Sequence, residues 1–347
     1  MQVRASIGIE LFSADAEDSE TLLGHADVAL YRAKAEGRGT FRFFTSEMDR
    51  DVRSRVTLGT ELGEALAAGE LFLLYQPQVE ASTGAIVGIE ALIRWRHPTR
   101  GILQPEAFIE AAETTGVITQ LGHFVLWATC RQAVAWRDAG LEIPRISVNV
   151  SALQFKGSTA LEADIMAALA ETGLPPSMLE MELTESALIS TSQGHSDMLR
   201  RLKDRGVKLA IDDFGTGYSS FEYLRRFPAN HIKIAQSFTK NIETKTSDAS
   251  IVRAIIGLAN ELNITPIAEG IETRAQMDLI ASWGCSQMQG YYFSRPVPPE
   301  EITTLLQSGS ILLPNPEPAN RAFSLNKCCT STSGCDGSVG DVSRSRL

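Results

Sequence analysis

The sequence predicts an α/β protein built on a (β/α)8 barrel with an antiparallel first strand, plus a partial N-terminal strand-helix-strand segment. Three observations carry this. Eight short apolar, β-branched runs alternate with amphipathic stretches across residues 61–312, the pattern of strands joined by crossover helices and closed on themselves. The first connection, residues 80–85, is a tight Ser-Thr-Gly turn with no room for a helix, so the first two strands pair as a hairpin. Finally, 347 residues with 44% hydrophobic content suffice for one large domain or two modest ones.

Taken in order, residues 5–12 read as a strand, 21–36 as a helix, Gly37-Arg38-Gly39 as a break and 40–44 as a second strand. Residues 1–46 cannot bury a core of their own and look like the end of a domain. Residues 47–60, rich in Arg, Asp and Glu, read as a helical connector to the barrel at 61–312. Its strands are expected at 71–79, 86–95, 145–151, 178–186, 208–214, 231–235, 265–272 and 287–293. Helices are expected at 105–115, 118–139, 160–172, 192–205, 248–262 and 273–283. Residues 313–347 turn to Pro, then to Ser, Thr, Gly and Cys, and should be disordered. Their cysteines, Cys328, Cys329 and Cys335, lack the further ligands that would complete a metal site.

Charge narrows the function. With 32 Lys+Arg against 42 Asp+Glu and a net charge of −10, the chain is unsuited to gripping duplex DNA through its phosphates. No apolar run reaches bilayer-spanning length, and the N-terminus does not read as a signal peptide. The body holds only Cys130 and Cys285, which excludes a disulfide framework and fits a cytoplasmic location.

The informative residues close the strands. In such a barrel the C-terminal strand ends converge on one face and carry the chemistry. Here they supply Glu90, Arg94, Asn149, Glu182, Glu185, Asp212, Asp213, Lys233, Glu269, Glu272 and Gln289. Alternation puts Glu90, Leu92 and Arg94 on one face of their strand. So many carboxylates would repel one another unless cations neutralised them. Glu, Asp and Asn oxygens without His or Cys suit a hard divalent ion such as Mg²⁺ or Mn²⁺. Asp212-Asp213 could serve two ions about 3.5–4 Å apart, the clamp used for phosphodiester hydrolysis. Lys233 and Glu269 could then orient or deprotonate water; a core salt bridge and a strand-end cap are their plainer readings. Gly215-Thr216-Gly217 lacks a Walker lysine and reads as a lid or interface loop. His97 reads as a turn residue and the four tryptophans as core.

Together these motifs resemble the EAL signature of cyclic-di-GMP phosphodiesterases. The likeness runs over about residues 56–310: Tyr75-Gln76-Pro77, Glu90-Ala91-Leu92-Ile93-Arg94, Asn149-Val150-Ser151, Glu182-Leu183-Thr184-Glu185, Asp212-Asp213-Phe214-Gly215, Glu269-Gly270-Ile271-Glu272 and Gln289-Gly290-Tyr291. The resemblance implies a modified TIM-type barrel that hydrolyses cyclic di-GMP to linear pGpG with two divalent ions, Mg²⁺ or Mn²⁺; Ca²⁺, whose larger, looser shell suits a two-ion site poorly, is expected to inhibit. It implies Glu90, Asn149, Glu182 and Asp212 as ligands of one ion and Asp212 with Asp213 at the second. Lys233 and Glu269 are implied as catalytic, Arg94 as the phosphate grip, and Gln76, Leu92, Glu272 and Gln289 as substrate-binding. Glu185 is implied as the anchor of loop 213–220, which leads to a homodimer interface. Residues 1–46 resemble the last quarter of a GGDEF domain through Ala5-Ser6-Ile7-Gly8-Ile9, Ala26-Asp27-Val28-Ala29-Leu30-Tyr31 and Gly37-Arg38-Gly39, without the turn that names that domain, so no cyclase activity is expected of them.

One position departs. The family's Lys-Ile-Asp reads Lys233-Ile234-Ala235 here, which removes a carboxylate from beside the second ion. That leaves a second reading open, a receptor that binds cyclic di-GMP without cutting it. A lyase of the enolase type also sets acids and a lysine around Mg²⁺, but the antiparallel hairpin and the Asp212-Asp213-Phe214-Gly215 loop argue against it.

Overall fold

The computed structural model describes residues 5–11, 19–35, 39–156, 158–189, 193–217, 224 and 227–311. The tail at 313–347, with its three cysteines, and residues 218–220 of the expected interface loop lie outside the described residues.

The N-terminal unit is β1 (Ile7–Ile9), α1 (Ser19–Ala35) and β2 (Phe41–Phe43), with β1 and β2 parallel. Its strands are shorter than expected. Gly8 is needed where the unit is tightest, since a Cβ there would lie 1.9 Å from the Ala26 carbonyl oxygen of α1. Helix α2 (Ser46–Ala68) opens on Thr45, whose hydroxyl accepts from the Met48 N–H, and stops at Gly69 in the left-handed region. It runs through the boundary expected at residue 60, so connector and barrel entrance are one helix. Its buried stripe of Leu58, Leu62 and Ala65 faces α3 (Pro105–Thr115), and Arg55 pairs with Glu110 at 2.6 Å.

The barrel strands are β3 (Leu71–Glu80), β4 (Ile86–His97), β6 (Ile146–Val150), β7 (Leu179–Thr184), β8 (Lys208–Phe214), β9 (His231–Ile234), β10 (Thr265–Ala268) and β11 (Gln287–Met288). They run in the order β3-β11-β10-β9-β8-β7-β6-β4, and the β3–β4 pairing closes the ring. As expected, β3 is antiparallel to both neighbours while the others are parallel. A short β5 (Gly101–Leu103), not foreseen, extends β4 outside the ring. The helices between them are α4 (Ile118–Asp138), α5 (Ala152–Lys156), α6 (Ser158–Thr172), α7 (Glu185–Ile189), α8 (Gln193–Asp204), α9 (Gln236–Thr239), α10 (Thr246–Glu261), α11 (Arg274–Ser282) and α12 (Pro299–Ser308). None among the described residues is long and apolar enough to cross a membrane.

Three expected barrel strands overrun their C-terminal ends by two residues or more. The run 265–272 stops at Ala268, because Gly270 takes φ +65° and the chain turns. The run 287–293 stops at Met288, after which the Phe293 and Ser294 N–H groups both donate to Gly290 in a tight turn. The run 178–186 ends at Thr184, since Glu185 begins α7.

Period-two alternation sorts the strand residues. Ile89, Ile146, Leu183, Leu209, Ile232 and Ile234 are buried on the helix-facing side. The intervening positions face inward and are polar: Gln76, Gln78, Glu90, Ser147, Glu180, Glu182, His231 and Lys233, all buried. An interior of this kind costs desolvation energy unless its groups pair with one another. Trp95 and Trp136 are core residues, while Trp127 and Trp283 are half-buried. Cys130 and Cys285 are free, and burial pushes both thiols up to about 12.

Candidate active site

Strand register assembles the site. Gln76 lies opposite Glu90 across β3–β4, Asn149 opposite Glu182 across β6–β7, and Thr184 opposite Asp212 across β7–β8. Simple alternation would send Asp212 and Asp213 to opposite faces. Instead the β8–β9 register slips between Ile211 and Phe214, and Asp213 takes φ +51°. This bulge turns both carboxylates toward one pocket, with the Asp213 N–H donating to Asp212 Oδ1 at 2.9 Å.

Lys233 occupies the centre. Its Nζ lies 2.6 Å from Glu182, 2.8 Å from Glu269, 3.2 Å from Glu90 and 3.4 Å from Asp212, and the side chain is 1% exposed. Burial alone would lower its pKa, but Asp212, Glu182, Glu269 and Glu90 outweigh that and hold it well above the ordinary lysine value. The acids divide. Burial pushes Glu90 up, yet Lys233 and hydrogen bonds from Gln289 and Asn149 prevail and hold it below the usual range. Burial, Glu90 and Asp212 drive Glu182 well above that range. Burial, then Asp212 and Glu90, push Glu269 up to about 8. Burial and Asp212 raise Asp213.

Above this cluster opens a pocket of about 280 Å³. All the expected substrate-binding residues, Gln76, Leu92, Arg94, Glu272 and Gln289, line it. So do Glu90, Asp212, Asp213, Lys233 and Glu269. Asn149 and Glu182 are not part of the lining; Asn149 reaches the cluster by donating to Glu90 at 2.7 Å, and Glu182 reaches it through Lys233. The backbone of the lining is pinned. Thr239 donates to the Glu269 carbonyl at 2.5 Å, and Gln276 accepts from the Glu272 N–H at 2.7 Å. Glu185 stands apart, accepting from the Gly215 and Gly217 N–H groups at 2.9 and 3.3 Å. His97 lies at the end of β4 against Glu61, 3.3 Å away and clear of the pocket.

The donor set fits a hard divalent cation. Asp212, Asp213 and Glu269 each offer an oxygen within 4.8 Å of the others, and Glu182 Oε1 is buried with no hydrogen-bond partner. A buried carboxylate oxygen without a donor is costly, and a cation satisfies it.

The structure adds Gln104, Glu106, Gln236 and Tyr291 to the lining. Tyr291 closes the Gln289-Gly290-Tyr291 motif and is 51% exposed. Gln104 and Glu106 sit at the start of α3, where a helix N-cap gave no hint of a pocket.

Comparison with known proteins agrees with this geometry. The family model described as "EAL domain" matches residues 60–296. The bifunctional diguanylate cyclase/cyclic di-GMP phosphodiesterase MucR of Pseudomonas aeruginosa is 40% identical over 302 residues, covering 87% of this chain and 44% of MucR. The cyclic di-GMP phosphodiesterase NbdA of the same organism is 40% identical over 304 residues, covering 88% of this chain and 39% of NbdA. The chain thus spans about two fifths of the length of these curated relatives. Among solved structures, a PaMucR phosphodiesterase in complex with c-di-GMP is 42% identical with a TM-score of 0.68, covering 71% of this chain and 99% of that one. Phosphodiesterases of the EAL family depend on divalent metal. With the matched region extending from α2 to the turn after β11, the chain belongs to the EAL domain family.

Proposed function

We propose that this chain hydrolyses cyclic di-GMP, opening one phosphodiester to give linear pGpG, with two divalent ions, Mg²⁺ or Mn²⁺. The observation that carries this is the acidic cluster of Glu90, Glu182, Asp212 and Glu269 around Lys233 at the floor of the pocket. Glu90, Asn149, Glu182 and Asp212 would hold one ion, and Asp212 with Asp213 the other. When bound, such ions acidify water and neutralise charge on phosphoryl oxygens. Lys233 Nζ orients the attacking water and Glu269 takes its proton. Arg94, 6% exposed at the pocket wall, grips a phosphate with its planar guanidinium, a role lysine fills poorly. Gln76, Leu92, Glu272 and Gln289 bound the substrate. We also read residues 1–46 as a GGDEF-domain remnant; the MucR match, longer than 60–296, supports this. Loop 213–220, anchored by Glu185, is read as part of a homodimer interface.

One observation favours a receptor that does not cut. Ala235, 1% exposed, stands at the N-cap of α9 without a side-chain cap, where the family carries aspartate beside the metal. Turnover of cyclic di-GMP in Mg²⁺ or Mn²⁺, beside a binding titration in Ca²⁺, separates the two. Appearance of pGpG, lost in Glu90→Ala and on Ca²⁺ substitution, supports the enzyme. Tight binding without product assigns the receptor.

A further inference from the structure

Beneath the acidic cluster lies a buried network whose deeper members, Arg145 and Gln78, the hydrolytic reading does not use. Arg145, 4% exposed, is held on every side. Its Nε donates to Glu180 at 2.9 Å, its Nη1 to the Val87 carbonyl at 3.0 Å, and its Nη2 to Gln78 Oε1 at 2.5 Å and Gln287 Oε1 at 3.1 Å. Glu180 is fully buried and its other oxygen pairs with His231. A guanidinium has donors only, so Gln78 must turn its oxygen toward Arg145. The Gln78 NH₂ then donates to Gln289 Oε1 at 3.1 Å. The Gln289 NH₂ in turn donates to Glu90 Oε2 at 2.7 Å and Gln76 Oε1 at 2.9 Å. Gln76 completes the series by donating to the Ser294 carbonyl at 3.0 Å. Gln78 is 0% exposed and Gln289 4%, so water does not satisfy a flipped amide. Turning either one over sets oxygen against oxygen or N–H against N–H.

We propose that Arg145 and Gln78 are positioning residues that fix the orientation of the Gln289 amide, so that its NH₂ faces Glu90 and Gln76 at the pocket. The proposal rests on the hydrolytic reading for its catalytic consequence, but not for its structural one. Gly88 belongs to the same device. A Cβ there would lie 2.4 Å from Gln78 Oε1 and 3.0 Å from Arg145 Cζ, so the contact that starts the series needs glycine beside it.

Gln78→Glu tests it, because glutamate keeps an acceptor toward Arg145, forms an ion pair there, and presents oxygen to Gln289. Gln289 must then flip and set its own oxygen against Glu90 and Gln76. The expected result is a melting temperature within a few degrees of wild type, a kcat about ten- to a hundredfold lower with a smaller change in KM, and a displaced Gln289 side-chain amide resonance in a ¹⁵N-resolved spectrum. Gln78→Leu, which removes polarity without reversing it, should lose less activity. Turnover by Gln78→Glu within twofold of wild type, equal losses in both variants, or an unmoved Gln289 resonance overturns the proposal. Should Gln78→Glu fail to fold, Gly88→Ala takes its place with the same resonance as readout: displacement supports the proposal and no displacement overturns it. Should wild type itself fail to cut cyclic di-GMP, the hydrolytic reading falls, and the Gln289 resonance still decides the positioning role.

Discussion

Replacing Lys233 by methionine keeps the length and apolar stem of the side chain and removes its charge. Four carboxylates then lose a counterion that sits between 2.6 and 3.4 Å from each. Removing one partner of a buried ion pair costs about 3–5 kcal/mol, because the remaining charge stays out of water. Two members of this cluster soften the loss. Glu182 is held well above the usual carboxylate range and Glu269 is pushed up to about 8, in both cases first by burial. Each can take up a proton instead of standing charged, which places the expected cost near the lower bound, about 3 kcal/mol. For a domain of this size that corresponds to a fall in melting temperature of about 6–12 °C. Scanning calorimetry of both proteins at neutral pH in a chelator reads it directly, and cyclic di-GMP turnover in Mg²⁺ should vanish in the same variant. An unchanged or raised melting temperature would refute the view of Lys233 as the counterion of the cluster.

Three further outcomes are expected. Ala235→Asp restores a carboxylate beside the site, so a Mg²⁺ titration of activity should show tighter half-saturation or higher turnover; no change in either would mark the position as spare. Glu185→Ala removes the acceptor of the Gly215 and Gly217 N–H groups, and hydrogen exchange at those two amides should accelerate about tenfold or more; unchanged exchange would show that the carboxylate does not hold the loop. Gly290→Ala brings a Cβ to 2.1 Å from the Ile271 carbonyl oxygen and 2.3 Å from its nitrogen. Both are backbone atoms that cannot step aside, so a loss of about 3 kcal/mol in denaturant unfolding is expected, and a loss below about 1 kcal/mol would contradict the packing at that turn.

The parts of this molecule that follow from periodicity were legible in its sequence. Strand 208–214 and helix 105–115 lie where their patterns place them, and the Ser-Thr-Gly turn correctly forced β3 to run against its neighbours. What failed were strand ends governed by tertiary contact. The runs 265–272 and 287–293 start as apolar strands, but past Ala268 and Met288 the Ile271 N–H and carbonyl are taken by Gln289 and Tyr292, which folds the two stretches against each other. The pocket residues are legible for a similar reason: most close strands at one end of the barrel. The Asp213 bulge was not, because alternation says the opposite and only the slipped register reveals it. Gln78 and Arg145 escaped because they sit deeper in the barrel, where a polar side chain in an apolar run carries no chemical signature of its own.

The antiparallel seam has a consequence for how the chain reaches its native state. Gln76 and Gln289 meet across that seam though 213 residues apart in sequence, whereas the β3–β4 hairpin forms from contiguous residues. Contacts of such separation are slow to form. The hairpin can nucleate early, and the ring shuts only when β11, the last of the eight barrel strands in sequence, docks on β3. Until then β3 offers an unpaired edge, open to other chains. The same docking completes the pocket wall, so ligand capacity arises in one step with ring closure, and a chain arrested before residue 287 would be both inert and adhesive.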